Sequence, residues 1–188
     1  MGQAIGDALP FAVGLAIIPI PVIAVVLLLG TPRASVNGPA FAVGWLCGLT
    51  IVGAIVLVVV GGNATGDAGE PATWASVLKL VFGALFLLMA VRIWRTRLTS
   101  GEEAQMPKWM QAIDGFTAGK SLGAGVVLSA ANPKNLVLVI AGATAIAETE
   151  IPGRQQAVAL VVFVFMGSLT ILEELARIPV GSVRARVI

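Results

Sequence analysis

Ala130-Ala131-Asn132-Pro133-Lys134-Asn135-Leu136 is a polar knot inside an apolar run from Leu122 to Ala147. A run of that length fits a membrane-spanning helix, which needs about 20 apolar residues to cross a hydrocarbon core of about 30 Å. The knot itself is incompatible with regular helix. Pro133 has no N–H to donate, its ring collides with the carbonyl of Ser129, and it drives Asn132 out of the α region. The sequence therefore predicts a break, with Asn132 capping a second half-helix and Pro133 at its first position, where a missing N–H costs nothing. Unpaired backbone at that depth is tolerated only beside protein or a watery cavity, so the break implies a cavity. Lys134 lies at the positive end of the half-helix dipole, roughly 20 Å of helix from either end of the run at about 1.5 Å per residue. An ionisable group so placed is a functional candidate. The competing reading puts Lys134 nearer the edge, reaching head groups, with Asn132 and Asn135 as helix-packing contacts.

Outward from the knot, composition sets the class. Apolar residues make up 57%, charged residues 12%, and mean hydropathy is +0.96. These values lie outside the range of soluble domains and indicate one integral membrane domain over residues 1–188. A net charge of +2 is too small to suggest nucleic acid. With one cysteine, Cys47, and no histidine, a disulfide framework and His-based metal or proton chemistry are excluded within the chain.

Residues 1–7 lack the positive region of a cleaved signal peptide, so the first apolar run, 8–30, is expected to stay in the mature protein. Ile18-Pro19-Ile20-Pro21-Val22 predicts a second break near its centre. A turn with Arg33 leads to a second span, 39–60, where Gly44-Trp45-Leu46-Cys47-Gly48 offers a face of small residues for close helix approach. Cys47 reads as a small packed hydrophobe. Residues 61–73 form a Gly-rich turn matching no phosphate-binding pattern. The third span, 74–94, has Trp74 and Trp94 as belt residues and Lys79 as a snorkelling side chain. A basic loop, 95–120, contains Met106, Trp109, Met110 and Ile113 at the spacing of an interfacial helix. The fourth span is 121–147. A fifth, 157–172, follows a polar connection, and the tail 173–188 is too charged for another crossing.

With the N-terminus outside, Arg33, the basic loop and Arg177, Arg184 and Arg186 all fall in the cytoplasm, while the outer loops hold Arg154 against Asp67, Glu70, Glu148 and Glu150. The first and fourth spans then cross in opposite directions, each broken by proline, as in an inverted three-span repeat with its site at the midplane. The fold expected is thus an all-α polytopic membrane protein. Pro19, Pro21, Asn132, Pro133, Lys134 and Asn135 are its candidate substrate-binding residues.

Pro19-Ile20-Pro21, the stretch from Arg33 through Gly38-Pro39-Ala40-Phe41 to Gly44-Trp45 and Gly48-Leu49, and Asn132-Pro133-Lys134-Asn135 resemble the GAP/Sap family. These are glycolipid- and sulfolipid-addressing membrane proteins of mycobacteria and related actinobacteria, within the lysine exporter superfamily. The resemblance covers about residues 1–172. The Asn-Pro-Lys element is widespread in the superfamily and speaks for the fold; the stretch from Arg33 to Leu49 favours this branch. It implies a six-span protein of the bacterial plasma membrane that helps move a lipid or glycolipid to the cell surface, with membrane lipids and a lipid synthase or larger exporter as partners and homo-oligomers possible. A sixth span, expected from the family, is not legible after Leu172, which suggests a truncated or frame-shifted chain or a surface supplied by a partner.

Residue types narrow the chemistry. Divalent metal export needs carboxylate or imidazole ligands in the membrane, and every Asp and Glu lies in a loop, a terminus or the tail. A thiol relay needs a second cysteine. Ser129 with Lys134 is the one conceivable catalytic pair, five residues apart across a break, and no enzyme or cofactor is expected. No nucleotide-binding motif or membrane carboxylate supplies an energy source. An anionic head group held by Lys134 and the half-helix N-terminus is the leading mechanism. An amino-acid-type exporter and a non-transporting scaffold are the alternatives.

Overall fold

The computed structural model describes residues 1–61, 91 and 113–177, and among them it is all-helical. The helices are α1 (Gly2–Ala16), α2 (Pro19–Leu29), α3 (Ala34–Gly61), α4 (Ala118–Ala130), α5 (Pro133–Ala147), α6 (Gly153–Gly167) and α7 (Leu169–Ala176), with a 3-10 turn at Ile113–Gly115 before α4. Alone among the described helices, α3 is long and apolar enough to cross a membrane unaided; its 28 residues extend about 42 Å. The others form three bent pairs: α1–α2 at 52°, α4–α5 at 63° and α6–α7 at 56°. Each pair has the length and apolarity of one crossing when taken together.

The two proline breaks therefore stand where the sequence puts them, and the third, at Ser168, was not anticipated. Helix starts differ too. α1 and α3 begin several residues ahead of the expected spans and carry Pro10 and Pro39 inside. α6 begins at Gly153, so the polar residues Arg154 to Gln156 are its first turn rather than loop. Cys47 is exposed on α3 rather than packed. The span at 74–94 with Lys79, the interfacial helix up to Ile113, and the tail beyond Arg177 lie outside the described residues.

Running directions follow from pairs of contacts. Trp45 Nε1 donates to Ser168 Oγ at 3.0 Å, while a Cβ on Gly61 would meet Gln156 Oε1 at 3.3 Å. Numbers rise along α3 as they fall along α6, so these two are antiparallel. Gly44 lies against Leu122 and Gly48 against Val126, so α3 and α4 are parallel. Leu15 borders Gly167, and Ala16 O accepts from Thr170 Oγ1 at 2.9 Å, so α1 runs parallel to α6. It follows that residues 61 and 113 lie at opposite ends of α3, and that α4 runs opposite to α1.

The α3–α4 seam is the tightest in the bundle. A Cβ on Gly44 would strike the backbone carbonyl of Leu122, and one on Gly125 would strike that of Phe41 and stand 2.7 Å from Trp45 N. Glycine is obligatory there because the obstacles are backbone, which has no rotamer to move. The small-residue face read from Gly44 and Gly48 is this seam. A second face of small residues, Ala4, Ala8 and Ala12, buries α1 beside Ala159 and Phe163 of α6. Such close backbone approach lets van der Waals contact between apolar helices supply packing energy.

Candidate functional site

The second break is built by three residues. Ala131 ends α4 with its N–H on Val127 O at 2.8 Å. Asn132 takes the extended conformation that a following proline imposes, φ −77° and ψ 119°, and its Oδ1 accepts from Lys134 N at 3.1 Å. Pro133 occupies the first position of α5. The carbonyls left free at the end of α4 are taken up locally. Asn135, with no exposed surface, donates its Nδ2 to Leu128 O at 2.6 Å, stapling α5 back onto α4. Its Oδ1 is buried with no partner among the described residues. Lys134 projects from the other side of this turn, exposed, and its ammonium makes no hydrogen bond or ion pair among the described residues.

The first break places Ile18 in the same extended conformation, φ −67° and ψ 120°, ahead of Pro19. Pro19 is exposed and Pro21 is fully buried. Among the described residues no side chain caps α2; instead Thr170, from beyond the third break, occupies the freed carbonyl of Ala16. Gly14, near the end of α1, faces Leu138, near the start of α5. The two proline breaks are therefore neighbours, reached by helices running in opposite directions.

Of the six residues singled out in the sequence, Pro19 and Lys134 are exposed, Asn132 and Pro133 are half-buried, and Pro21 and Asn135 face the interior. Asn132 and Asn135 are spent largely on holding the break. The Ser129–Lys134 pair has no catalytic geometry, since Ser129 Oγ is buried and donates to Val126 O at 3.0 Å. Among the described residues, no three His, Cys, Asp or Glu side chains gather as a metal site.

Ser168 is the residue sequence reasoning missed. It is fully buried, donates to Val164 O at 2.7 Å, accepts from Trp45, and marks the 56° turn between α6 and α7. The available signal was Gly167-Ser168, since Gly/Ser pairs are among the few causes of sharp helix bends besides proline. Through Ser168 and Thr170, the third break is bonded both to α3 and to the first break.

A cleft of about 890 Å³ opens away from these breaks, between the end of α3 and the start of α6, and none of the six residues lines it.

A family model described as Sap, sulfolipid-1-addressing protein, matches residues 8–188, beyond the stretch on which the resemblance rested. No curated protein and no solved structure matches the chain.

Proposed function

Because the chain belongs to the sulfolipid-1-addressing protein family, we propose that it is a multi-pass membrane protein that assists movement of an anionic lipid to the cell surface. The observation that carries this reading is Lys134: an exposed ammonium, without a partner among the described residues, in the first turn of α5, directly after a 63° break in an apolar helix pair. A cation there opposes the helix dipole, a cost of about 0.3–1 kcal/mol that a bound sulfate, phosphate or carboxylate removes. The acyl chains would stay in lipid or between helices.

The same reading puts the chain in a bacterial plasma membrane with its N-terminus outside. It is supported by how charge sorts along the bundle. Arg33 and Lys120 lie at the end where α3 and α4 begin, whereas Asp7, Glu148 and Glu150 lie, with Arg154, at the end where α1 and α6 begin, a net negative set. An inverted repeat is supported by the matching bends at Pro19 and Pro133 and by the pairing of directions. In such a repeat, the parallel contact of α3 with α4 has its counterpart in that of α1 with α6.

The test compares surface lipids by mass spectrometry in cells carrying the wild type, Lys134→Ala or Lys134→Arg. Loss of a surface lipid in Lys134→Ala, with normal membrane insertion and at least partial recovery in Lys134→Arg, is expected. Unchanged surface lipid in Lys134→Ala would reject the head-group role and favour a scaffold for a lipid synthase or larger exporter.

A further inference from the structure

The proposed function concerns the lipid's head; the cleft between α3 and α6 concerns its tail. Thr50, Ala54 and Val58 on α3 and Ala157 and Val161 on α6 form its walls, and Gln156 and Glu150 stand at its mouth. From Thr50 to Gly61 the groove descends about 16 Å of helix, close to half of a hydrocarbon core of about 30 Å. Its depth is that of one leaflet, Gln156 and Glu150 lie at the end away from Thr50, where head groups would be, and its volume of about 890 Å³ falls within the range of ligand sites. The groove also opens sideways. Val43, Ile51 and Val58, on one exposed stripe of α3, are each more than half exposed. A chain in the adjoining leaflet therefore reaches the groove without crossing any of the described residues.

We propose that this groove holds one acyl chain of a lipid standing in the outer leaflet, and that it is where an exported lipid leaves the protein. Its place in the outer leaflet rests on the orientation argued above. The groove lies at the end of the bundle opposite Arg33 and Lys120. Glu150 stands at the mouth and Arg154 lies in the same first turn of α6 as Gln156, so the described residues there carry no net positive charge to retain an anionic head group. The tail is gripped while the head is let go.

The test is photolabelling of the purified full chain in vesicles of phosphatidylethanolamine and phosphatidylglycerol doped with phosphatidylglycerol carrying a diazirine in its acyl chain. Peptide mapping should find the label concentrated in residues 50–58 and 156–161, well above the exposed Val127 and Val137. Ala54→Phe and Ala157→Phe, both at exposed positions, fill the groove from opposite walls without touching the core. Each should retain wild-type helicity and cut the label about tenfold, the effect of excluding roughly two buried methylenes. Label shared evenly with Val127 and Val137, or unchanged in both filled variants, would overturn the proposal. Because labelling needs no export, a failure of Lys134→Ala to affect surface lipid would leave this result standing, and the two readings fail separately.

Discussion

Replacing Gly125 by alanine tests the packing on which the bundle rests. The added methyl would sit on the Phe41 carbonyl, 2.7 Å from Trp45 N and 3.1 Å from the Gly44 carbonyl carbon. All three obstacles are backbone, so the helices must part. Overpacking of this kind costs about 1–3 kcal/mol, and unyielding neighbours place this case near the top. Against it stands a gain of about 1 kcal/mol, because alanine is the better helix former. The net expectation is a loss of about 2 kcal/mol, close to thirtyfold in the folding equilibrium at about 1.4 kcal/mol per decade. Gly119 and Gly123 supply controls on the same helix, since a Cβ at either meets nothing within 4 Å among the described residues. Gly119→Ala and Gly123→Ala should be neutral or stabilising by up to about 1 kcal/mol. Unfolding in mixed micelles, followed by tryptophan fluorescence, measures all three. Gly125→Ala no less stable than Gly123→Ala would refute the backbone-contact reasoning.

Asn132→Ala removes the cap of α5 and should lower stability by about 0.5–2 kcal/mol in the same assay, with faster amide exchange at Lys134. Thr170→Val leaves the Ala16 carbonyl without its partner and should cost about 1–3 kcal/mol, largely restored in Thr170→Ser; equal loss in both variants would mean that the hydroxyl is idle. Glu173→Gln breaks a pair with Arg177 at 2.6 Å, but both side chains are more than 60% exposed. No measurable change in stability at physiological salt is expected.

The proline breaks were legible because proline acts locally: it removes a donor and constrains its neighbour whatever surrounds it. The Asn132 cap and the Gly44–Gly48 face were legible for the same reason, each being a rule about a few consecutive residues. What escaped depends on partners far along the chain. Ser168 turns α6 into α7 while held by Trp45, and Thr170 completes a helix end 154 positions earlier. Neither link has a local signature beyond Gly167-Ser168. Asn135 was singled out either for a ligand or as a helix-packing contact, and sequence alone could not supply the partner its amide takes, the Leu128 carbonyl. The helix start at Pro39 was misjudged because proline favours a first turn, and here α3 extends back past it to Ala34. Cys47 looked buried by composition, but its exposure depends on which face of α3 meets α4.

The parallel seam between α3 and α4 also bears on how the chain is made. Gly44 leaves the ribosome about 80 residues before Leu122 does, a gap of roughly 4–16 s at ordinary rates of synthesis. Throughout that interval the glycine face of α3 waits for α4, and the Asn37 amide for the Phe116 carbonyl to which it finally donates. The nascent protein thus passes through a stage in which its principal scaffold helix is already emplaced but half-finished, a natural point for chaperones and membrane proteases to inspect it.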